Sequence, residues 1–513
     1  MIIFYSKHHF KPQRLADMKL FLLGIFTFIT VSSFAQKKIA LNQIQEFDSY
    51  VEKVRKEWEV PGLSIVVVKD NKVIFKKGYG VRELGKADPV TAQTLFACAS
   101  TTKAMTVALI GMLVDEGKLK WNDPVSGYLP ELQLYDAFVT QALTIRDLLI
   151  HDTGLGGTDF FTGAMNIPVN EMFKRMALVK PSYPFRGGFV YQNIMYSAAG
   201  RIIERVTGKL WSEVIQERIF DRLGMTQTAP KRKFIRTENV TKPHFKINDT
   251  IRVIEYGTDS EIGSAGAVWS SADDMGEWVI CMLDSSKYNG GRLLKAETWA
   301  EMFKPQTIFP ESEYPTMQLL KPDWRTYGLG WYQHDYKGKK INFHTGSLAG
   351  LTAMTGQLPE EKLGVFIFGN YDHAEVRHVL LYKTFDYFAL GQNRDWNAEF
   401  KKLYSDLGEK GKKKIHDFEA ARVENTSTGL SLVQYSGKYR SALYGEATIT
   451  INGNILLANV NDVLKAKLLH WHYDVFNGPY EKAWYGNATA QFKMNSFGKI
   501  DAVVFDGMEF KKE

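Results

Sequence analysis

The pattern of apolar and polar residues along the chain predicts strands near both ends of a central region, with helices between them. Residues 63–69 and 72–77 are strand-like and flank Asp70-Asn71, a combination typical of a β-hairpin. Three further strand-like runs follow much later, at residues 340–345, 351–358 and 362–369, with a turn at 359–361. We therefore expect one antiparallel sheet assembled from both ends of this region, with helices on both faces, an α+β arrangement.

Helical periodicity dominates the middle of the chain. Residues 104–114 are almost continuously apolar after a polar turn that begins at Ser100, and Gly117 is a plausible end signal. Two more helices are predicted at residues 195–207 and 211–223, ended by Gly208 and Gly224. The first of the three is apolar on all sides, so we expect it to be buried.

Beyond residue 391 the pattern changes. Residues 396–422 are charged and helical in character, residues 425–429 form a polar linker, and strands with frequent turns begin at Leu430. Asn452-Gly453 is a hairpin signal. We predict a main domain at 36–391, a helical linker at 392–429, and a small antiparallel barrel or sandwich at 430–513.

The N-terminus carries a predicted export signal. From Met18 the chain has one lysine, an apolar run at residues 20–31, and Ser33-Phe34-Ala35 as a small-x-small cleavage pattern. We interpret residues 1–35 as leader and signal peptide, with Met18 as the start, which places the mature protein in the periplasm or outside the cell. An uncleaved N-terminal membrane anchor remains the alternative, although the apolar run is short for a span.

Composition and charge are those of an ordinary globular protein. The chain has 513 residues, of which 45% are hydrophobic and 24% charged, enough for more than one domain. The formal charge of +7 includes three net positive charges from the leader, so the mature chain carries about +4. The basic run at residues 410–414 lies in the helical linker and is most simply a solvated face. We expect no nucleic-acid partner.

Cysteine usage does not indicate a metal or redox site. Only Cys98 and Cys281 occur, each within an apolar run and neither in a Cys-x-x-Cys pattern. We favour free buried thiols over a disulfide. Metal-binding motifs such as His-Glu-x-x-His and phosphate-binding glycine loops are absent from the sequence, so no metal or other cofactor is implied.

Three short motifs occur in one order: Ser100-Thr-Thr-Lys103, Tyr191-Gln-Asn193 and His344-Thr-Gly346. Second copies of the first two patterns occur at residues 496–499 and 485–487, inside the predicted strands and turns of the C-terminal region. Sequence context separates the copies, because Ser100 stands at the start of the buried helix.

The first motif has the chemistry of an activated nucleophile. Residues three apart share a helix face, so Lys103 is expected beside the Ser100 hydroxyl. Burial disfavours the charged form of a lysine and lets the amine accept a proton. The backbone N–H groups at a helix start can stabilise a tetrahedral oxyanion. The alternative is a helix-capping serine with a solvated lysine.

The segments around these motifs closely resemble the serine β-lactamase-related family, which contains class C β-lactamases, DD-peptidases, esterases and D-aminopeptidases. The resemblance covers residues 44–390, with the motifs in the family's order and spacing. It rests on TLFACASTTKAMTVALIGMLVDEGKL, LTIRDLLIHDTGL, FVYQNIMYSAAGRIIERVTGKLW, YGLGW and FHTGSLAGLTAMTGQLPEEKLGVFIFGN. It implies a transpeptidase-like sheet covered by helices, a helical subdomain, and an active site in the groove between them. The C-terminal region is similar to a domain of unknown function that often follows such hydrolases.

Acyl transfer then suggests roles for the motif residues. Ser100 is the predicted nucleophile, Lys103 its activator, and Tyr191 the group that moves protons among hydroxyl, leaving group and water. Whether lysine or tyrosinate is the base stays open. Asn193 is expected to bind the substrate amide and the lysine, unless it is only a turn residue before the helix.

The third motif is predicted to bind substrate. The backbone N–H groups of Ser100 and Ser347 are expected to form the oxyanion hole. The resemblance implies that the strand edge carrying Thr345 and Gly346 aligns an extended substrate.

His344 departs from the better-known relatives, which have lysine at this position to bind a substrate carboxylate. Imidazole supplies a positive charge only when protonated, so efficient β-lactamase activity is not expected. A role for His344 in binding a carboxylate at low pH and a role in holding the sheet edge both remain open.

The predicted function is that of a secreted serine hydrolase acting through an acyl-enzyme on an ester or peptide, including peptidoglycan-derived peptides. The sequence has no Gly-x-Ser-x-Gly elbow, which argues against an α/β-hydrolase. A Ser-His-Asp triad that uses His151 or His344 is compatible with the sequence but not required. A weak β-lactamase and a non-catalytic, penicillin-binding-like peptidoglycan sensor remain the alternatives. The sequence does not indicate the oligomeric state.

Overall fold

The computed structural model describes residues 40–257, 263–391 and 393–513. The predicted leader at 1–35 lies outside the described residues. The helices are α1 Leu41–Glu57, α2 Thr102–Asp115, α3 Ala137–Ala142, α4 Ile145–Ile150, α5 Phe160–Gly163, α6 Val169–Arg175, α7 Asn193–Thr207, α8 Trp211–Ile215, α9 Asp221–Leu223, α10 Gly263–Gly266, α11 Ala272–Leu283, α12 Ala296–Met302, α13 Met317–Leu320, α14 Val376–Phe385, α15 Trp396–Ala420 and α16 Leu432–Tyr435.

The strands fall into one large sheet, three two-stranded ribbons and a barrel. Those of the large sheet are β1 Gly62–Lys69, β2 Lys72–Gly80, β9 Thr307–Ile308, β10 Arg325–Tyr327, β11 Tyr332–Tyr336, β12 Lys339–Leu348, β13 Leu351–Leu358 and β14 Leu363–Gly369. The ribbons are formed by β3 Phe96–Ala97 with β6 Trp269–Ser270, β4 His244–Ile247 with β5 Thr250–Val253, and β7 Lys287–Tyr288 with β8 Gly291–Arg292. The barrel strands are β15 Gly437–Ser441, β16 Gly445–Asn452, β17 Ile455–Val460, β18 Leu464–His472, β19 Val475–Pro479, β20 Asn487–Met494, β21 Ile500–Phe505 and β22 Met508–Lys512.

The large sheet confirms the predicted antiparallel arrangement. Its order is β2-β1-β14-β13-β12-β11-β10-β9, so the N-terminal hairpin pairs directly with the last strand, β14. The predicted hairpin β1–β2 turns at Asp70 and Asn71, both in the left-handed conformation. Strands β13 and β14 are buried along their whole length because helices cover the sheet.

Helix α2 is the buried helix that the apolar run predicts. All of its residues from Thr102 to Leu113 are buried, and Gly117 just beyond its end is left-handed. Its predicted first turn differs, because Ala99–Thr101 form a 3₁₀ turn before the α-helix starts at Thr102. The helix predicted at 211–223 is also subdivided, since Gln216–Phe220 form a π-helical segment between α8 and α9.

The C-terminal strands β15–β22 close into an eight-stranded antiparallel barrel. The sequence left a barrel and a sandwich open, and the closed pairing of β15 with β22 decides for the barrel. Alternating side chains fill its interior, and the aromatic members Tyr435, Tyr439, Phe476 and Phe492 contact one another there.

Helix α15 connects the main domain, which contains the large antiparallel sheet, to the barrel. The helix has 25 residues. Near its start, Trp396 and Phe400 stack on Tyr382 of α14, with ring centroids 5.0 and 6.0 Å apart. Near its end, Phe418 stacks on Trp471 of the barrel at 5.4 Å. The predicted linker helix is therefore held at both ends.

The barrel also contacts the main domain at the short helix α5. The ring of Tyr444, in the loop after β15, lies 4.9 Å from the ring of Phe160. Asn461 Nδ2 donates to the carbonyl of Ala164 at 2.7 Å and to that of Tyr444 at 2.8 Å. Ala164 is packed into the core of the barrel. These four residues form what we call the α5 contact.

Two further expectations concern thiols and membranes. Cys98 and Cys281 are free and buried, as favoured from the sequence, and burial raises the pKa of both thiols. Over the described ranges, no helix combines the length and apolar character needed to cross a bilayer.

Candidate functional site

Ser100 lies in a constrained turn between the ribbon strand β3 and helix α2. Cys98 donates its backbone N–H to Val268 at 2.8 Å, which fixes the chain before the turn. Ala99 has φ = 46°, a left-handed conformation that is uncommon for a residue other than glycine. Such strained residues cluster at functional sites, and here the turn exposes part of the Ser100 side chain.

Lys103 lies one turn later, beside Ser100. Its Nζ is 3.0 Å from Ser100 Oγ, 2.7 Å from Asn193 Oδ1 and 2.9 Å from the carbonyl oxygen of Ala265. The amide and carbonyl oxygens can only accept hydrogen bonds. A neutral amine has two N–H donors and one lone pair, so donation to these two oxygens leaves the lone pair for the Ser100 hydroxyl.

The environment of Lys103 favours this neutral amine. Its side chain is fully buried, and burial lowers its pKa well below the usual 10.5, against a smaller raising effect of Asp159. No carboxylate lies within 4 Å of Nζ in the part of the chain that the structure describes. Both features favour the neutral form of Lys103, which can accept a proton.

Tyr191 supplies a second hydroxyl close to both Lys103 and Ser100. Lys103 Nζ lies 4.8 Å from the centre of the Tyr191 ring. The Tyr191 hydroxyl is buried and makes no hydrogen bond of ordinary geometry with the described residues. Burial raises the pKa of Tyr191 well above 10, and the nearby Ser100 hydroxyl opposes this only in part. A neutral phenol facing Ser100 is the result.

Asn193 is the first residue of helix α7 and connects the lysine to a carboxylate. Its Oδ1 accepts from Lys103, and its Nδ2 donates to Asp159 Oδ1 at 3.3 Å. These two contacts fix the orientation of the amide. The sequence left open a turn residue before the helix, whereas Asn193 begins helix α7 and also makes the expected contact with the lysine.

Strand β12 passes directly over the nucleophile turn. A Cβ on Gly346 would lie 2.4 Å from the Cys98 carbonyl oxygen and 3.0 Å from Ser100 N, so only glycine permits this approach. Strand β11 pairs with β12 only as far as Phe343. Residues 344–348 therefore have no strand neighbour on that side among the described residues, and they form a free edge beside Ser100.

His344 is buried behind this edge with both ring nitrogens occupied. Nδ1 donates to the Thr345 carbonyl at 2.6 Å, so Nε2 is the acceptor for the Tyr327 hydroxyl at 3.0 Å. Burial, and then the nearby Lys103, lower the pKa of His344 to about 3. This geometry favours the sheet-edge role left open from sequence over the binding of a substrate carboxylate.

Arg377 of helix α14 supports the same strand and was not found from the sequence. Its Nη1 donates to the Gly346 carbonyl at 2.7 Å and to Ser347 Oγ at 3.0 Å. Glu375 pairs with the guanidinium at 3.2 Å, and both side chains are buried. The motif edge is thus held by a charge from a distant helix that carries no local signature.

A layer of rings lies behind Ser100, Lys103 and β12. Tyr314 contacts Thr345 Oγ1 through its hydroxyl at 2.5 Å. Further rings pack around Tyr332, including those of Tyr191, Tyr327 and His344 at centroid distances of 4.7–6.4 Å. Besides the motif residues Tyr191 and His344, only Tyr327 among these rings had a sequence signal, as part of the YGLGW segment.

The other candidates from sequence fall outside this group. His151 Nδ1 accepts from the backbone N–H of Gln192 at 3.1 Å, and neither His151 nor His344 is hydrogen-bonded to Ser100 in the described structure. The second Ser-x-x-Lys pair, Ser496 and Lys499, lies in the turn between β20 and β21 of the barrel. In the described segments, no group of three or more His, Cys, Asp or Glu side chains is arranged to hold a metal ion.

Comparisons with known proteins agree with this fold. The Beta-lactamase family model matches residues 47–386, well over half of the chain, and a domain of unknown function (DUF3471) matches residues 421–513. The chain belongs to the β-lactamase family.

Relatives and solved structures come from both fungi and prokaryotes. The unguisins hydrolase ungD of Aspergillus violaceofuscus is 28% identical over 449 residues, covering 79% of this chain and 76% of the relative. Protein flp of Staphylococcus aureus is 23% identical and covers 64% and 63%, respectively. The octameric penicillin-binding protein homologue from Pyrococcus abyssi has a TM-score of 0.58 at 20% identity, over 91% of this chain and all of that chain. SurE with D-Leu has a TM-score of 0.54 at 18% identity, over 92% of this chain. These relationships establish the penicillin-binding-protein-like fold and support a hydrolase.

Proposed function

We propose that this protein is a serine hydrolase that forms an acyl-enzyme at Ser100 and acts on an ester or peptide, with DD-peptidase-like or esterase-like activity. One observation carries the proposal: a fully buried Lys103, free of carboxylate partners among the described side chains, lies 3.0 Å from Ser100 Oγ. In the alternative, a helix-capping serine with a solvated lysine, the lysine side chain would not need to be buried.

The acylation step follows from these positions. The Ser100 hydroxyl gives its proton to the lone pair of Lys103 Nζ while Oγ bonds to the substrate carbonyl carbon. The backbone N–H groups of Ser100 and Ser347 are proposed to receive the oxyanion, which the close approach of β12 to Ser100 N supports. The bond from carbon to the leaving group then breaks, and that group takes a proton.

Tyr191 fits the role of proton carrier better than that of initial base. Burial favours both a neutral amine at Lys103 and a neutral phenol at Tyr191, and a tyrosinate–ammonium pair would require two buried charges. The phenol can donate to the leaving group and recover that proton from Lys103. In deacylation the same pair activates water, and the Ser100 oxygen regains a proton.

The substrate is proposed to align along the free edge of β12, at residues 345–348, which has no neighbouring strand on that side among the described residues. A relative is named unguisins hydrolase, which supports a hydrolytic activity here. The neutral His344 gives no support to efficient β-lactamase activity. We also propose that the mature protein is exported, which mass spectrometry of its N-terminus tests by finding residue 36 first.

Covalent labelling tests the proposal. A fluorophosphonate probe should add one adduct to the wild-type protein, detected by intact mass, and Ser100→Ala should remove the adduct together with turnover of short acyl esters and D-alanyl-D-alanine peptides. Ser496→Ala, which alters the second copy of the motif, is the matched control and should keep both. Persistent labelling of Ser100→Ala would refute the assignment. A wild-type adduct with an acyl substrate that never turns over would favour the peptidoglycan sensor instead.

A further inference from the structure

The site contains a carboxylate that the proposed acyl transfer does not use. Asp159 immediately precedes helix α5, its side chain is exposed, and Oδ1 accepts the hydrogen bond from Asn193 Nδ2 at 3.3 Å. The negative charge of Asp159 opposes the lowering of the Lys103 pKa by burial. The same charge adds to the raising of the Tyr191 pKa. Asp159 therefore lies within electrostatic reach of the reacting atoms.

This carboxylate has no counter-charge. No Lys, Arg or His nitrogen lies within 4 Å of Asp159 in the described ranges. Although it occupies a helix-start position, its side chain makes no capping hydrogen bond. A carboxylate can accept about four hydrogen bonds, and Asn193 uses one of them.

The rest of the site offers little positive charge to a substrate. His344 is neutral, and the Arg377 guanidinium is committed to Glu375 and to strand β12. A second carboxylate, Glu313, accepts from the Tyr332 hydroxyl at 2.8 Å, and the charge of Asp159 contributes to raising its pKa. The negative charge of Asp159, next to Asn193, therefore attracts a cationic ligand and repels an anionic one.

We infer that Asp159 is a specificity-determining residue that binds a protonated amino group of the substrate, beside the carbonyl that Ser100 attacks. The inference rests on the proposed function and narrows its substrate class to aminoacyl esters or peptides with a free amine near the scissile bond. An ammonium group has three donors and suits the open acceptor positions of Asp159. Asn193 holds the carboxylate in place from the other side.

A matched substrate pair tests the inference. The ethyl esters of D- and L-alanine are compared with their N-acetylated counterparts, which lack the positive charge, and ester consumption is followed by mass spectrometry. Wild-type kcat/KM should favour the free amine by about tenfold or more, as expected for a hydrogen bond between charged groups. Asp159→Asn should remove this preference, because it should raise KM for the free amine by much more than it changes the kinetics of the acetylated ester. Asp406→Asn, an exposed aspartate of helix α15, is the matched control and should behave as wild type.

Two outcomes overturn the inference. An equal loss for both esters would mean that Asp159 only orients Asn193, and an unchanged preference would mean that the carboxylate does not contact substrate. Fluorophosphonate labelling of Ser100, measured in the same samples, separates this result from the proposed function. If Ser100 is labelled but the wild type shows no preference for the amine, only the role of Asp159 is rejected. If the wild type is not labelled, the acyl-enzyme itself is rejected.

Discussion

Asn193 Oδ1 lies 2.7 Å from Lys103 Nζ, and this oxygen can accept but not donate a hydrogen bond. The contact takes one of the two N–H groups of a neutral lysine and helps direct the lone pair to Ser100. A negative charge at the same position should act in the opposite way, because it would stabilise the ammonium form of the lysine.

Asn193→Asp should therefore raise the pKa of Lys103, so that the enzyme becomes active only at a higher pH. The acid limb of the kcat/KM profile is expected to move upward by about one to three pH units. Rates on a neutral acyl ester between pH 5 and 10 measure the shift. An acid limb at the wild-type position would show that Lys103 does not govern the profile.

Lys103 and Tyr191 should act as one proton relay. Lys103→Ala and Tyr191→Phe are each expected to lower kcat by about 10²–10⁴, and the double variant should be little worse than either. Single-turnover acylation rates for the four proteins form the required cycle. Losses that multiply would assign the two residues independent steps.

His344 should not confer a pH dependence on substrate binding near neutrality. With a pKa of about 3, the imidazole stays neutral from pH 5 to 8, so KM for a carboxylate-bearing substrate should be flat over that range. The measurement is KM against pH in wild type and in His344→Lys. A KM that rises through pH 6–7 in the wild type only would restore a role for protonated His344.

The same histidine should make the fold sensitive to acid. Because its pKa is lowered from 6.5 to about 3 in the folded state, the unfolded chain binds the proton first. The contribution of His344 to stability is complete above pH 6.5 and declines as the pH falls from 6.5 toward 3. Urea unfolding of His344→Gln should show a shallower loss over this range, with the exposed His416→Gln as the control.

Arg377 should separate stability from activity. Arg377→Met leaves the buried Glu375 with His378 as its remaining partner, 3.2 Å away, at a cost of up to about 3–5 kcal/mol of unfolding free energy. The double variant Arg377→Met/Glu375→Gln removes both charges and should recover most of that stability. Activity should remain low in both variants, because strand β12 has lost the donor to the Gly346 carbonyl. Recovery of activity with stability would make Arg377 a purely structural residue.

The α5 contact predicts a catalytic effect of the barrel. Tyr444→Ala and Asn461→Ala should lower kcat/KM several-fold through KM, since both residues hold the helix that follows Asp159. Tyr473→Ala changes an exposed tyrosine of the same barrel, 56% accessible, and should have no effect. Equal kinetics in all three variants would show that helix α5 keeps its position without these contacts to the barrel.

The local parts of this architecture could be predicted from the sequence. The hairpin at Asp70-Asn71, the buried helix α2 and the proximity of Lys103 to Ser100 follow from strand alternation and helical spacing, which operate over a few residues. The π-helical segment at Gln216–Phe220 carried no such signal, and we have no physical account of it.

The parts that could not be predicted depend on contacts between distant residues. Arg377 meets Gly346 across 31 residues and Asn193 meets Asp159 across 34, and no periodicity encodes such pairs. The neutrality of His344 was missed for a related reason. Its charge state depends on burial and on the nearby Lys103, neither of which the His-Thr-Gly motif reveals.

Helix α15 has a consequence for the spacing of the two folded parts. With 25 residues at 1.5 Å each it is a rod of about 37 Å, held by ring stacking at Trp396 and Phe418. A rod transmits both length and rotation, so one inserted residue would turn everything beyond it by about 100° and four would advance it by about 6 Å. The register of this helix, more than its composition, is what allows Tyr444 to reach Phe160.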